Sequence, residues 1–129
     1  ARVMILDTCF LIDLQRELRK GTSGRATGFL GANADTVFSI SVVSATEFLE
    51  GFDDVALGER LLGMYKQIDV DTSIAGHAAR IRRQLRIAGN LIGDFDILIA
   101  ATAVSMNTPL VTRNLDDFRR IEGLELVSY

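Results

Sequence analysis

Gly93 to Ser105 reads GDFDILIAATAVS, and this stretch decides the fold. Two carboxylates, Asp94 and Asp96, open it, and the run from Ile97 to Ala103 carries no charge. A helix here is apolar on nearly every side and must be buried. Phe95 to Ile99, apolar and partly β-branched, also fits a strand. The run continues to Met106, however, and Ala100, Ala101 and Ala103 favour helix. Those small residues also let a helix lie close to a sheet. Gly93-Asp94 reads as a helix start, with Asp94 at the N-cap. Asp96 then falls in the first turn, where the helix dipole favours an anion.

Around this helix the chain alternates short apolar runs with amphipathic ones. Val3 to Leu6 is a buried strand ending at Asp7. Thr8 caps a helix carrying Phe10, Leu11, Leu14 and Leu18, which Lys20-Gly21 ends. Thr22 to Ser23 starts a second helix with Phe29 and Leu30. Val37 to Ser41 is a second strand; Ser41 or Ser44 caps the next helix, which holds Glu47 and stops near Gly51. Asp53 or Asp54 opens a helix with Leu57, Leu61, Leu62 and Tyr65 on one face. Ile68 to Val70 is a third strand. Asp71-Thr72-Ser73 begins a long helix to about Ile87, and Leu110 to Thr112 and Leu124 to Val127 are the last strands. The pattern predicts an α/β fold, a three-layer sandwich whose short, mostly parallel central sheet is flanked by helices.

Composition narrows the class. The 129 residues suit one domain, residues 1–129, and 48% of them are hydrophobic, with a single proline. One cysteine, Cys9, precludes an internal disulfide framework and suits a reducing compartment. No run approaches the roughly 18 apolar residues of a membrane span, so a cytoplasmic protein with no membrane role is expected. A net charge of −3 leaves any nucleic-acid contact to a local basic patch.

The acids follow the strand plan. Asp7 ends the first strand, Glu47 lies in the helix after the second, and Asp116 and Asp117 follow the fourth. Sites of open α/β sheets lie beyond the carboxyl ends of the strands. Asp96 joins that edge if its helix points its N-terminus there. Two carboxylates about 5 Å apart repel by roughly 3 kcal/mol at an effective dielectric of about 20. A hard divalent ion offsets that repulsion, using one or two carboxylates directly and others through water. Metal-assisted phosphodiester hydrolysis is the chemistry that follows.

Four segments in this order, ILDTCFLIDL (Ile5 to Leu14), SVVSATEFLEG (Ser41 to Gly51), GDFDILIAATA (Gly93 to Ala103) and LVTRNLDDF (Leu110 to Phe118), resemble the PIN-domain nucleases over essentially the whole chain. Among these the chain is most similar to VapC-type toxins of bacterial toxin–antitoxin pairs. The resemblance implies that Asp7, Glu47 and Asp96 are catalytic metal ligands. For a fourth acid, Asn114 stands where the wider family often has one. The acid before the phenylalanine, Asp117, takes that role, with Thr112 and Asn114 supporting it. The resemblance further implies a Mg²⁺-dependent endoribonuclease (Mn²⁺ can substitute), acting on RNA, homodimeric, and inhibited by a VapB-type antitoxin whose tail covers the site.

Other residues have plainer readings. Asp94 is a helix cap before it is a fifth ligand, and Asp116 a solvated loop charge. Asp13, often acidic in this family, divides evenly between a surface and a functional role. Arg80, Arg82, Arg83 and Arg86 form a solvated helix face, whereas Arg113, beside the acids, is the better substrate contact. His77, the only histidine, belongs to the surface, and Cys9 packs as a small hydrophobe. Two rival functions are a receiver-like phosphoacceptor domain and an inactive PIN fold that only binds. The first wants an aspartate ending the third strand and a lysine ending a late one, yet Lys20 and Lys66 both come earlier.

Overall fold

The computed structural model describes residues 2–129. Its elements are β1 (Val3–Leu6), α1 (Thr8–Lys20), α2 (Arg25–Ala32), β2 (Val37–Ser41), α3 (Val42–Glu50), α4 (Val55–Leu62), β3 (Lys66–Ile68), α5 (Thr72–Ile87), α6 (Asp94–Ser105), β4 (Leu110–Val111), α7 (Leu115–Phe118) and β5 (Leu126–Val127). The five strands form one sheet in the order β3-β2-β1-β4-β5. Every pairing is parallel, so the sheet is wholly rather than mostly parallel.

Alternation along β1 explains the layers. Met4 and Leu6 point into a cluster with Phe10, Leu11, Leu14, Ile40, Phe48, Leu62 and Val111. Ile5 points the other way, into a cluster with Ile74, Ile81, Leu85, Ile97, Ile99, Ala100, Leu110 and Phe118. A strand buried on both faces is what an all-parallel sheet requires. In the second layer α6 is sandwiched, with Ile99, Ala100 and Ala101 fully buried. Its alanines serve the close packing their size suggests. The Ser73 and Ser105 hydroxyls lie 3.0 Å apart, so α5 starts where α6 ends and the two helices run antiparallel. That orientation carries the start of α6 to the edge where β1 and β4 end.

Several boundaries differ from the sequence reading for identifiable reasons. Asp7, not Thr8, is the N-cap of α1; its carboxylate accepts the Thr8 N–H. Gly21 ends that helix in the left-handed conformation at φ 66°, where glycine has no Cβ penalty. Helix α2 starts at Arg25 rather than near Thr22, because a distant carboxylate caps it. Glu17 accepts the amides of Ala26 at 3.0 Å and Thr27 at 2.9 Å. The free amides, not the local Thr-Ser signal, set that start. Strand β3 pairs through Lys66–Ile68, two residues earlier than its apolar letters imply. It is an edge strand, whose pairing runs through the backbone and tolerates an exposed lysine. Leu57 points outward, 40% exposed. Ser41 and Asp54 resolve the two open cap choices. The β4 and β5 pairings cover only Leu110–Val111 and Leu126–Val127.

Candidate functional site

Asp7 lies at the base of the site. Parallel pairing of β1 with β4 puts Thr112 beside it, the Asp7 N–H donating to the Val111 carbonyl at 2.9 Å. The carboxylate is buried and accepts the Thr8 N–H at 2.8 Å, the Thr112 hydroxyl at 2.7 Å and the Cys9 thiol at 3.4 Å. Burial raises its pKa, and those bonds pull partly the other way. Thr112 is itself fully buried and accepts the Asn114 N–H at 3.0 Å.

Glu47 reaches the same edge from α3. Ser41 caps that helix by accepting the Val43 N–H at 3.0 Å, fixing its direction at the end of β2. The Thr8 hydroxyl donates to Glu47 Oε1 at 2.7 Å. Asp117 comes from α7, where Asn114 donates its side-chain amide to Asp117 Oδ2 at 3.0 Å.

Asp96 faces all three. Its carboxyl is pushed up to about 6, first by burial and then by the negative charges of Asp7, Glu47 and Asp117. The antiparallel α5–α6 pair therefore does bring the start of α6 to the carboxyl edge of the sheet. Phe95, between the two acids of α6, is exposed.

Asp94 is not a cap. Gly93 takes the extended N-cap conformation (φ −60°, ψ 148°), leaving Asp94 as the first helical residue. Its carboxylate points back to α5 and accepts Arg82 Nε at 3.0 Å. Asp94 and Asp96 thus diverge, as residues about 200° apart around a helix must. Asp116 is 91% exposed and pairs with Arg119 at 2.9 Å, outside the cluster. Asp13 is largely buried; its Oδ2 accepts the Tyr129 hydroxyl at 2.7 Å and forms an ion pair with Arg113 Nη1 at 3.0 Å. Arg80, Arg83 and Arg86 are exposed along α5, and His77 contacts only Arg80 of these, at 3.2 Å.

Three residues at the site escaped the sequence reading. Thr8 serves Glu47 rather than capping a helix. Cys9 is not inert packing: its thiol touches Asp7, lies 3.5 Å from the Thr112 hydroxyl and accepts the Tyr129 hydroxyl at 3.6 Å. Tyr129 stands 116 residues from Asp13 in the chain, and no local signal links them.

Among the described residues no three acidic, histidine or cysteine side chains form a preassembled metal cage. The four acids instead line an open site of hard oxygen donors. Mg²⁺ suits such a set, because it keeps several waters and takes only one or two carboxylates directly. The Asp96 carboxyl is raised first by burial and then by the three neighbouring negative charges, a setting that favours a bound cation. Beside Glu47 a cleft of about 540 Å³ runs between α1 and the α3–α4 turn. Arg16 and Arg19 line one wall, Asp53 and Asp54 the other, with Phe52 and Leu57 between them. No helix among the described residues is long and apolar enough to cross a membrane.

Known proteins share this all-parallel α/β fold. The family described as the PIN domain matches residues 4–124. Ribonuclease VapC1 of Methanocaldococcus jannaschii is 32% identical over 98% of this chain and 86% of its own length. The crystal structure of VapBC2 from Rickettsia felis, bound to a DNA fragment from their promoter, superposes with a TM-score of 0.82 at 24% identity over 98% of both chains. DNA-bound VapBC from Salmonella typhimurium gives 0.78 at 25% identity over 99% of this chain and 98% of that one. The chain belongs to the PIN-domain family, among its VapC-type members. The receiver-like reading falls with this, and with β3 lying at the sheet edge, where no phosphoacceptor is framed by neighbouring strands.

Proposed function

We propose that this chain, as a single domain spanning residues 1–129, is a cytoplasmic endoribonuclease toxin dependent on Mg²⁺, for which Mn²⁺ can substitute. The observation that carries the reading is Asp96, a carboxyl raised to about 6 by burial and by Asp7, Glu47 and Asp117 around it. Four acids kept together against their repulsion make sense as a cation site. Asp7, Glu47, Asp96 and Asp117 would hold the ion, directly or through water. When bound, the ion supplies a water of lowered pKa and offsets charge on the phosphoryl oxygens.

The chain's own residues do the rest. Thr112 and the Thr8 N–H hold the Asp7 carboxylate in one orientation, so it would hold an ion without reorganising. Thr8 and Asn114 do the same for Glu47 and Asp117. Arg113 is flanked by Thr112 and Asn114, the residues that hold two of the acids, and half of its side chain is exposed. It is the cation offered to an RNA phosphate.

The partner in this reading is a VapB-type antitoxin. The VapBC complexes to which the fold is similar support it, as does the cleft beside Glu47, which has room for a peptide segment lying over the site. Homodimerisation belongs to the same reading. Calorimetric titration of Mg²⁺ into the antitoxin-free protein tests the site. Saturable binding that Asp7→Asn weakens is expected. Absence of binding, or undiminished affinity in that variant, would favour a PIN fold that binds without catalysing.

A further inference from the structure

Tyr129 lies two residues beyond β5, and its hydroxyl is built into the rim of the acid site. Its ring stands edge-on to Phe10, with centroids 4.8 Å apart, and Phe10 is fully buried. From this rigid base the hydroxyl donates to Asp13 Oδ2 at 2.7 Å, the same oxygen that forms an ion pair with Arg113 Nη1 at 3.0 Å. The Asp13 side chain is only 13% exposed, whereas that of Arg113 is 53% exposed. We propose that Tyr129 and Asp13 are positioning residues that fix the Arg113 guanidinium at the rim of the acid site, where it receives a phosphate of the substrate. The proposal rests on the nuclease reading above, and it gives Asp13 a role other than metal ligation.

The physical need is specific. An arginine side chain has several rotatable bonds, and ordering it costs conformational entropy. An exposed ion pair does not repay that cost. Asp13 also has a second cation within reach, Arg16 at 3.9 Å, so the carboxylate alone does not select one partner geometry. A phenol donating to Oδ2 locks the carboxylate, and the guanidinium then docks against a fixed acceptor. Burial, then the bond to Asp13, raises the phenol's pKa, so it stays a donor. The guanidinium meets Asp13 through Nη1 alone, and its remaining N–H groups are left for phosphate. A held cation is required because the acids beside it repel RNA.

The test is a double-mutant cycle on the full chain: wild type, Tyr129→Phe, Arg113→Ala and both together, with total cellular RNA as substrate. Tyr129→Phe keeps the ring packing and removes only the hydroxyl. It should leave the melting temperature and the maximal rate unchanged while raising the RNA concentration for half-maximal cleavage about 3- to 10-fold. In the Arg113→Ala background the same change should have no further effect. Arg113→Lys should fail to restore the wild-type concentration, because a lysine lacks the planar fork. Equal effects of Tyr129→Phe with and without Arg113, or no effect at all, would overturn the proposal. So would a fall in the maximal rate alone, which would tie Tyr129 to Asp7 through Cys9. Filter binding of the same RNA to the four proteins reads the cycle without turnover. A wild type that binds but does not cleave would therefore count against the nuclease reading, while the binding cycle still decides the role of Tyr129.

Discussion

Replacing Asp96 by asparagine should make the metal-free protein more stable, by an amount that depends on pH. In the folded chain the Asp96 carboxyl is raised from its ordinary 3.8 to about 6, by burial and by three neighbouring acids. A raised folded pKa means that folding favours the protonated form. The contribution to stability is therefore complete below about pH 4 and is lost as pH rises through about 6. At about 1.4 kcal/mol per pKa unit the full shift corresponds to about 3 kcal/mol, and solvent screening of this half-buried carboxyl brings the cost to the metal-free fold at pH 7.5 down to about 1–2 kcal/mol. At pH 4.5 the same linkage leaves less than about 1 kcal/mol. Asparagine has the shape of the protonated acid and never ionises, so its advantage over wild type should grow with pH to about 1–2 kcal/mol across that range. Urea unfolding in EDTA at pH 4.5, 6 and 7.5 measures this difference. Adding Mg²⁺ at pH 7.5 should close the gap, because an ion that binds only the folded wild type stabilises it. An advantage that stayed flat with pH, or a destabilised variant at pH 7.5, would refute the claim that Asp96 faces the other acids without a counter-ion.

Three further outcomes follow from the same geometry. Asp94→Asn removes only an exposed ion pair with Arg82, so stability should change by less than about 1 kcal/mol and RNA cleavage should persist; loss of cleavage would bring Asp94 into the site. Thr112→Val keeps the shape but removes the shortest of the three hydrogen bonds to Asp7 and leaves the Asn114 N–H without its partner, which should cost about 1–3 kcal/mol in urea unfolding and reduce cleavage at least tenfold. Arg113→Ala should raise the RNA concentration for half-maximal cleavage and make its salt dependence shallower, whereas Arg83→Ala, on the exposed face of α5, should do neither. Equal losses from the two would move the RNA path onto α5.

The layered fold was legible in the sequence because its signals are strong and local. The apolar run of α6, the buried strands β1 and β2 and the Asp71 start of α5 each follow from burial or capping within a few residues. The acids at strand ends were legible too, since the position of Asp7 at the end of β1 and of Asp117 after β4 is fixed by parallel topology. What stayed hidden depends on contacts distant in the chain. Glu17 caps a helix nine residues away, so the Thr22-Ser23 signal misplaced the start of α2. The cap role given to Asp94 failed likewise, because Gly93 takes the extended cap position and Arg82, twelve residues back, takes the Asp94 carboxylate. The phenol of Tyr129 is drawn to the site by tertiary packing alone, and the Cys9 thiol, which bonds Asp7 two residues away, meets Thr112 and Tyr129 only in the folded chain. Neither residue type marks itself in sequence when its partners lie over a hundred residues away.

If the four acids act on RNA through a divalent ion, cleavage depends on both the metal and Asp7. Purified antitoxin-free protein is incubated with total cellular RNA in Mg²⁺ and in EDTA, beside its Asp7→Asn variant. Cleavage should appear with Mg²⁺ in the wild type and fall by orders of magnitude in EDTA and in the folded variant. Cleavage that survives EDTA unchanged, or that Asp7→Asn retains in full, would rule out a metal-dependent acid site.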